Sequence, residues 1–145
     1  MILNVYLSGE IHSEWRNEII DGIKSKALPY EILTPVTVHQ ASEDAGDILG
    51  TEDNPFWKDH KSAKINAIRI RTYIEKADIT IVKFGEKYRQ WNAAFDAGYA
   101  VAKGKKLIVI HPDEFRHALK EVDAAALVEE DLKYKWELIE MLTEL

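Results

Sequence analysis

The stretch from Asp78 to Ile110 leaves this chain few ways to fold. Ile79, Ile81, Val82 and Phe84 form a short, β-branched apolar run that reads as a buried strand. Gly85 punctuates it. From about Tyr88 to Lys103 the period becomes helical, with Trp91, Ala94, Phe95, Gly98, Tyr99 and Ala102 recurring at three and four. Gly104 stands where a helix would end in a left-handed residue, and Leu107 to Ile110 reads as a second buried strand. Strand, helix and strand make one βαβ unit with a right-handed crossover. Ligands of such sheets gather beyond the carboxyl ends of the strands, which is where Phe84 to Asn92 would lie.

The rest of the chain extends this unit. Ile2 to Leu7 reads as a first strand, and Ser8-Gly9-Glu10-Ile11-His12 as the loop after it. Ser13 is a suitable N-cap for a helix to about Lys26, with Trp15, Ile19, Ile20 and Ile23 as its buried stripe. Tyr30 to Leu33 is a second strand, stopped by Pro35. Residues 36–60 show little periodicity. Loops this long are usually functional or disordered, and Phe56-Trp57 argues for packing, so the segment reads as a partly ordered flap over the strand ends. Lys61 to Lys76 is helical with Ile65, Ile68, Tyr73 and Ile74 inward; a short last strand falls within 124–129 and a terminal helix follows. The expectation is one α/β domain over residues 1–145. It is a three-layer doubly wound sandwich with a mainly parallel five-stranded sheet, flavodoxin-like, in the order 2-1-3-4-5.

Composition excludes several classes. A net charge of −6 argues against a nucleic acid polymer as partner. The absence of cysteine removes disulfides, zinc–thiolate sites and thiol nucleophiles. No apolar run approaches a membrane span, and the start of the chain shows no leader pattern, so a cytoplasmic location and no membrane contact are expected. The loop histidines match no metal-ligand spacing, there is no Gly-x-Ser-x-Gly, and the dinucleotide glycine fingerprint is missing; neither metal nor cofactor is expected.

The candidate chemistry is carried by few residues. Asp96 sits inside a predicted helix, where aspartate is a poor choice, one turn after Asn92 and among small residues. It is either a solvated helix residue or a carboxylate held in a pocket at the sheet edge. Ser8 and Gly9, with Arg16 beyond them, are either a phosphate-binding turn or a plain strand-to-helix turn. Trp57 either stacks on a base or staples the flap to the core. Arg69 either clamps an anion or forms a structural ion pair. Trp91 and Tyr88 would wall the same crevice, and Asn92 would bind a ligand's hydroxyls or phosphate there. Glu10 and His12, after strand one, and Asp44 or Asp47 in the flap, are candidate proton donors; Asp78, at the far end of its strand, reads as structural.

Asp96-Ala-Gly-Tyr-Ala100 followed by Lys103-Gly-Lys-Lys-Leu-Ile-Val-Ile resembles the Glu-Leu-Gly-Tyr-Ala…Gly-Lys segment of the nucleoside 2-deoxyribosyltransferase superfamily, and Val5-Tyr-Leu-Ser-Gly9 resembles that superfamily's first strand and loop. Within it, Tyr6-Leu-Ser-Gly-Glu-Ile-His-Ser-Glu-Trp-Arg16, Phe56-Trp-Lys-Asp-His-Lys61, Lys64-Ile-Asn-Ala-Ile-Arg69 and Gln90-Trp-Asn-Ala-Ala-Phe-Asp-Ala-Gly-Tyr-Ala100 resemble the YtoQ family over nearly the whole chain. The resemblance implies a small-molecule nucleoside or nucleoside 5′-monophosphate as substrate. It implies N-glycosidic chemistry, hydrolysis or deoxyribosyl transfer, with Asp96 in the place of the superfamily's glutamate nucleophile and Tyr6 in the place of a tyrosine that orients it. Aspartate is one methylene shorter than glutamate, which keeps open a different role: a non-catalytic nucleotide or ADP-ribose-type sensor using the same crevice. A purely structural or partner-binding domain is a third possibility. Superfamily relatives are dimers or larger, so a homodimer or higher homo-oligomer is expected, through the helix carrying Ala93, Ala97 and Ala100 or the one carrying Trp136.

Overall fold

A computed structural model describes residues 1–87, 90–130 and 135–144. Five strands lie side by side in one parallel sheet, β1 (Leu3–Gly9), β2 (Tyr30–Leu33), β3 (Ile79–Lys83), β4 (Lys106–Ile110) and β5 (Val128–Glu130), in the spatial order β2-β1-β3-β4-β5. The register sets Val5 beside Ile79 and Gly9 beside Lys83, and then Ile79 beside Lys106 and Lys83 beside Ile110, so β1, β3 and β4 end together. Their carboxyl ends form the rim on which the candidate site is built.

Alternation along β1 sends its side chains to two cores. Val5 and Leu7 join Ile79, Ile81, Ile108 and Ile110 on one face, under α1 (Trp15–Ser25) and α6 (Lys135–Glu144). Tyr6 turns to the other face, against Ile74, Ala77 and Ala100. That face is covered by α3 (Pro55–Lys76), α4 (Trp91–Ala102) and the short α5 (Lys120–Ala125). α1 follows its predicted stripe: Trp15, Ile19 and Ile23 are buried against Leu138, Ile139 and Leu142. Ser13 is not its cap. α1 begins after Glu14, and the Ser13 hydroxyl donates to Glu10 instead.

The segment expected to be a flap is mostly helical. It holds α2 (His39–Glu43), a 3-10 stretch from Asp44 to Leu49, and the first two turns of α3. Asn54 caps α3 through Phe56 N at 2.9 Å, with Pro55 as its first residue. Asn66 Nδ2 ties α2 to α3 by donating to the Ser42 carbonyl at 3.0 Å and hydroxyl at 2.9 Å. Ile74 is buried as expected, but Ile68 faces outward.

α4 departs furthest from its reading. Its buried residues are Ala93, Asp96, Ala97 and Ala100, while Trp91 and Phe95 are exposed. The predicted start at Tyr88 lies outside the described residues. The helix ends as its glycine requires. Gly104 takes φ +71° and donates to the Val101 carbonyl at 2.9 Å, while Lys105 donates to that of Ala100 at 2.9 Å, the paired bonds of a Schellman end. Among the described residues no helix is long and apolar enough to cross a membrane.

Candidate active site

The loop after β1 is fastened from beneath. Gly9 adopts φ +105°, and a Cβ there would fall 2.0 Å from the Lys83 carbonyl oxygen, so only glycine lets β1 leave the sheet this close to β3. Arg16 then reaches back with all three nitrogens of its guanidinium. Nε donates to the Leu7 carbonyl at 3.2 Å, Nη1 to that of Glu10 at 2.5 Å and Nη2 to that of Gly9 at 3.0 Å. Its donors face backbone oxygens and the side chain is 6% exposed, so the expectation that Arg16 binds phosphate is corrected: it is the clasp of the loop. Trp15 Nε1 donates to the same Glu10 carbonyl at 2.7 Å. The Glu10 carboxylate accepts from His12 N and Ser13 Oγ, closing the loop on itself. Glu10, expected as a proton donor, has both carboxylate oxygens accepting within the loop and so holds it in place.

Above this loop and below the first turns of α4 is a cavity of about 340 Å³. Tyr6, Ser8 and Asp96 line it from the sheet side, with Glu10 and His12 at the loop and Trp91 and Asn92 at the start of α4; Gly9 also borders it. Asp96 is 7% exposed and its Oδ2 accepts from Ser8 Oγ at 2.6 Å. Burial in this low-dielectric setting pushes its pKa up to about 6, against the lowering effect of the Ser8 hydrogen bond. The Tyr6 hydroxyl is fully buried and has no hydrogen-bond partner among the described residues. Burial and the neighbouring Asp96 carboxylate both raise its pKa, so it remains a phenol able to donate. Of the expected site residues, Tyr6, Ser8, Gly9, Glu10, His12, Trp91, Asn92 and Asp96 come together here.

Two do not. Trp57 is 54% exposed in the first turn of α3, against Phe56 and His60, and borders a different hollow with Glu52 and Lys61; neither a stacking wall at Asp96 nor a staple to the core is what it forms. Arg69 borders a side pocket next to the Asp96 cavity rather than the cavity itself. Asp44 is paired with Lys58 at 2.8 Å, which holds its pKa below the usual carboxylate value, and Asp47 lies 3.9 Å from the same lysine; both are surface ion-pair groups. Asp78 accepts from Asn4 N at 2.8 Å, away from the strand ends, as a structural residue should.

Sequence reasoning missed a second hollow of about 520 Å³ beyond β3 and β4, which shares Glu10 and His12 with the first. Half-buried Lys83 borders it, with Nζ 5.6 Å from the Trp15 ring centre and a pKa lowered by burial. So does His111, whose Nδ1 lies 2.7 Å from the Pro112 carbonyl and whose Nε2 lies 2.9 Å from Asp123 Oδ2, anchoring α5 to the end of β4. The alternating strand pattern of Lys83 and the strand-end position of His111 were the only available signals.

The sequence model of the family described as "Nucleoside 2-deoxyribosyltransferase YtoQ" matches residues 6–143. The chain belongs to this family. It is 48% identical over 123 residues to the Bacillus subtilis (strain 168) relative described as "Uncharacterized protein YtoQ", covering 84% of this chain and 83% of the relative. Among solved structures, the Clostridium botulinum CMP N-glycosidase BcmB aligns over 97% of this chain and 98% of its own, with TM-score 0.60 and 14% identity. A 2-deoxyribosyltransferase from Bacillus psychrosaccharolyticus aligns over 94% and 95%, with TM-score 0.52 and 14% identity. A conserved protein from Enterococcus faecalis V583 aligns over 99% of both chains, with TM-score 0.66 and 12% identity. At such identities these structures speak for the fold: α/β with a parallel sheet, as in deoxyribosyltransferase-like proteins.

Proposed function

We propose that this YtoQ-family protein breaks the N-glycosidic bond of a nucleoside or nucleoside 5′-monophosphate, with Asp96 as nucleophile. The observation that carries the reading is a nearly buried carboxylate at the floor of a strand-end cavity, with its ionisation shifted towards neutrality. Asp96 attacks the anomeric carbon as the glycosidic bond breaks. The base leaves with the bonding electrons and takes a proton from His12, and the sugar stays as an ester on Asp96. Water opens that ester in hydrolysis; a second base does so in transfer, and either restores the carboxylate with retained configuration. Ser8 orients Asp96, Tyr6 donates a hydrogen bond within the cavity, Asn92 meets sugar hydroxyls and Trp91 shields the opening. Glu10 is a positioning residue. The superfamily names and the fold neighbours named for a CMP N-glycosidase and a deoxyribosyltransferase support this class of chemistry.

The test is to incubate the protein with ribo and deoxy nucleosides and their 5′-monophosphates and follow free base by chromatography. Base release should rise with pH through about 6 and fall by roughly a thousandfold or more in Asp96→Asn. Equal release by the variant would end the nucleophile assignment. Aspartate in place of glutamate supports a second reading, a nucleotide-binding module. Its mark would be no base release from any compound, with one of them still raising the melting temperature. The protein is further proposed to self-associate. The alanines expected to make the contact are buried within the subunit, but Trp91, Phe95, Gly98 and Ala102 form an exposed face of α4 beside the cavity. The Trp136 side chain lies outside the described residues. Sedimentation equilibrium showing only a monomer would overturn this proposal.

A further inference from the structure

Beside the Asp96 cavity, between the strand-end segment after β2 and the outer turns of α3, is a pocket of about 390 Å³. Pro35, Val36 and Ile70 line both, so the two hollows share a wall. Its polar lining is Thr34, Ser42, Asn66, Arg69 and Tyr73. Among the described residues no carboxylate lines it. Arg69 is half-buried on α3 and makes no hydrogen bond or ion pair with any described residue. An arginine spared both an acidic neighbour and a carbonyl keeps its full planar fork of donors. The hydroxyls add to it. Ser42 Oγ accepts from Asn66 Nδ2 at 2.9 Å, which leaves its own hydrogen to give, and neither Thr34 Oγ1 nor Tyr73 Oη donates to a described residue. The contrast with Arg16 is direct. Each nitrogen of that guanidinium donates to a loop carbonyl, whereas Arg69, three residues along α3 from the Asn66 tie to α2, donates to no described residue.

We infer that this side pocket is an oxyanion site, in which Arg69 and the neighbouring hydroxyls hold the phosphate of a nucleoside monophosphate whose anomeric carbon lies at Asp96. The inference rests on the glycosidic reading for the second half of that statement only. It makes the monophosphate, not the free nucleoside, the preferred substrate. The reason is that a cationic, acid-free pocket next to the reacting carboxylate favours a dianionic group and gains little from a neutral one.

The experiment compares wild type, Arg69→Gln and Arg69→Lys with matched nucleosides and 5′-monophosphates, reading kcat/KM for base release, and reads thermal shifts with inorganic phosphate and with each monophosphate. The expected result is a wild-type preference for the monophosphate that falls by roughly tenfold to a hundredfold in Arg69→Gln, mainly through KM, and is partly kept in Arg69→Lys. Because Arg69 has no partner among the described residues, the unliganded variants should melt with the wild type, which separates a binding loss from a folding loss. Wild-type turnover without preference for the monophosphate, or a preference unchanged in Arg69→Gln, would overturn the site while leaving the glycosidic reading intact. If no compound releases base, the glycosidic reading fails by itself. A phosphate or monophosphate shift abolished in Arg69→Gln would then still support the anion site, and no shift at all would overturn it.

Discussion

Helices α1 and α4 both open with a tryptophan at the carboxyl edge of the sheet, yet Trp15 is 2% exposed and Trp91 is 74% exposed. α1 turns its large apolar side chains inward and locks its first turn to the loop through the Trp15 indole and the Arg16 guanidinium. Each such buried side chain contributes about 1.5–3 kcal/mol relative to exposure. α4 does the reverse. It presents Ala93, Ala97 and Ala100 to the sheet and leaves Trp91 and Phe95 outside. Short side chains bring the α4 backbone close enough for Asp96 to reach Ser8 on β1 and leave room above for the cavity. One helix stabilises the fold; the other places a desolvated carboxylate at the strand ends, at a cost in stability.

The contrast can be broken at its stronger end first. Trp15→Ala should lower the unfolding free energy by roughly 3–5 kcal/mol in urea titration; a loss under about 1 kcal/mol would mean α1 is not the anchor. The cost of Asp96 is next. Its folded pKa of about 6 lies above its value of about 3.9 in an unfolded chain, so the unfolded state sheds its proton first as pH rises. Stability should therefore be unaffected by this group below about pH 4, fall by up to about 3 kcal/mol between pH 4 and 6, and stay level above that. Asp96→Asn should lack this fall and unfold at higher urea than wild type at pH 8. A variant less stable than wild type at pH 8 would show that the carboxylate is held by its partners rather than strained by burial. Ala97→Leu, adding bulk where α4 meets the sheet, should cost about 1–3 kcal/mol by the same titration. At the small end, Phe95→Ser should change the stability of a single chain by no more than about 0.5 kcal/mol. The same variant should weaken self-association in sedimentation equilibrium, and no change there would detach this face from assembly.

Much of the molecule was open to a reader of the chain. The β-branched run at Ile79–Val82, the glycine at 104 and the stripe Trp15-Ile19-Ile23 are local signals whose physics acts locally, and the parallel α/β sheet follows from them. Asp96 stood out because aspartate is unfavourable within a helix unless something compensates it, and here the Ser8 hydroxyl meets it beside the cavity. Arg16 and Arg69 could not be told apart, because a guanidinium's role depends on which oxygens the fold brings to it. Trp57 was misplaced for a similar reason: α3 begins earlier than its apolar period, and carries the tryptophan away from the strand ends.

The sequence by itself determined the family and the alternation of strands and helices, and it singled out Asp96 as the candidate carboxylate. Which face of α4 turns inward was decided only by the tertiary structure. A helical period gives spacing without direction, and hydrophobicity alone points to the aromatic side. Close packing against β1 and β3, with a cavity to be left open, instead selects the side made of alanines and one aspartate.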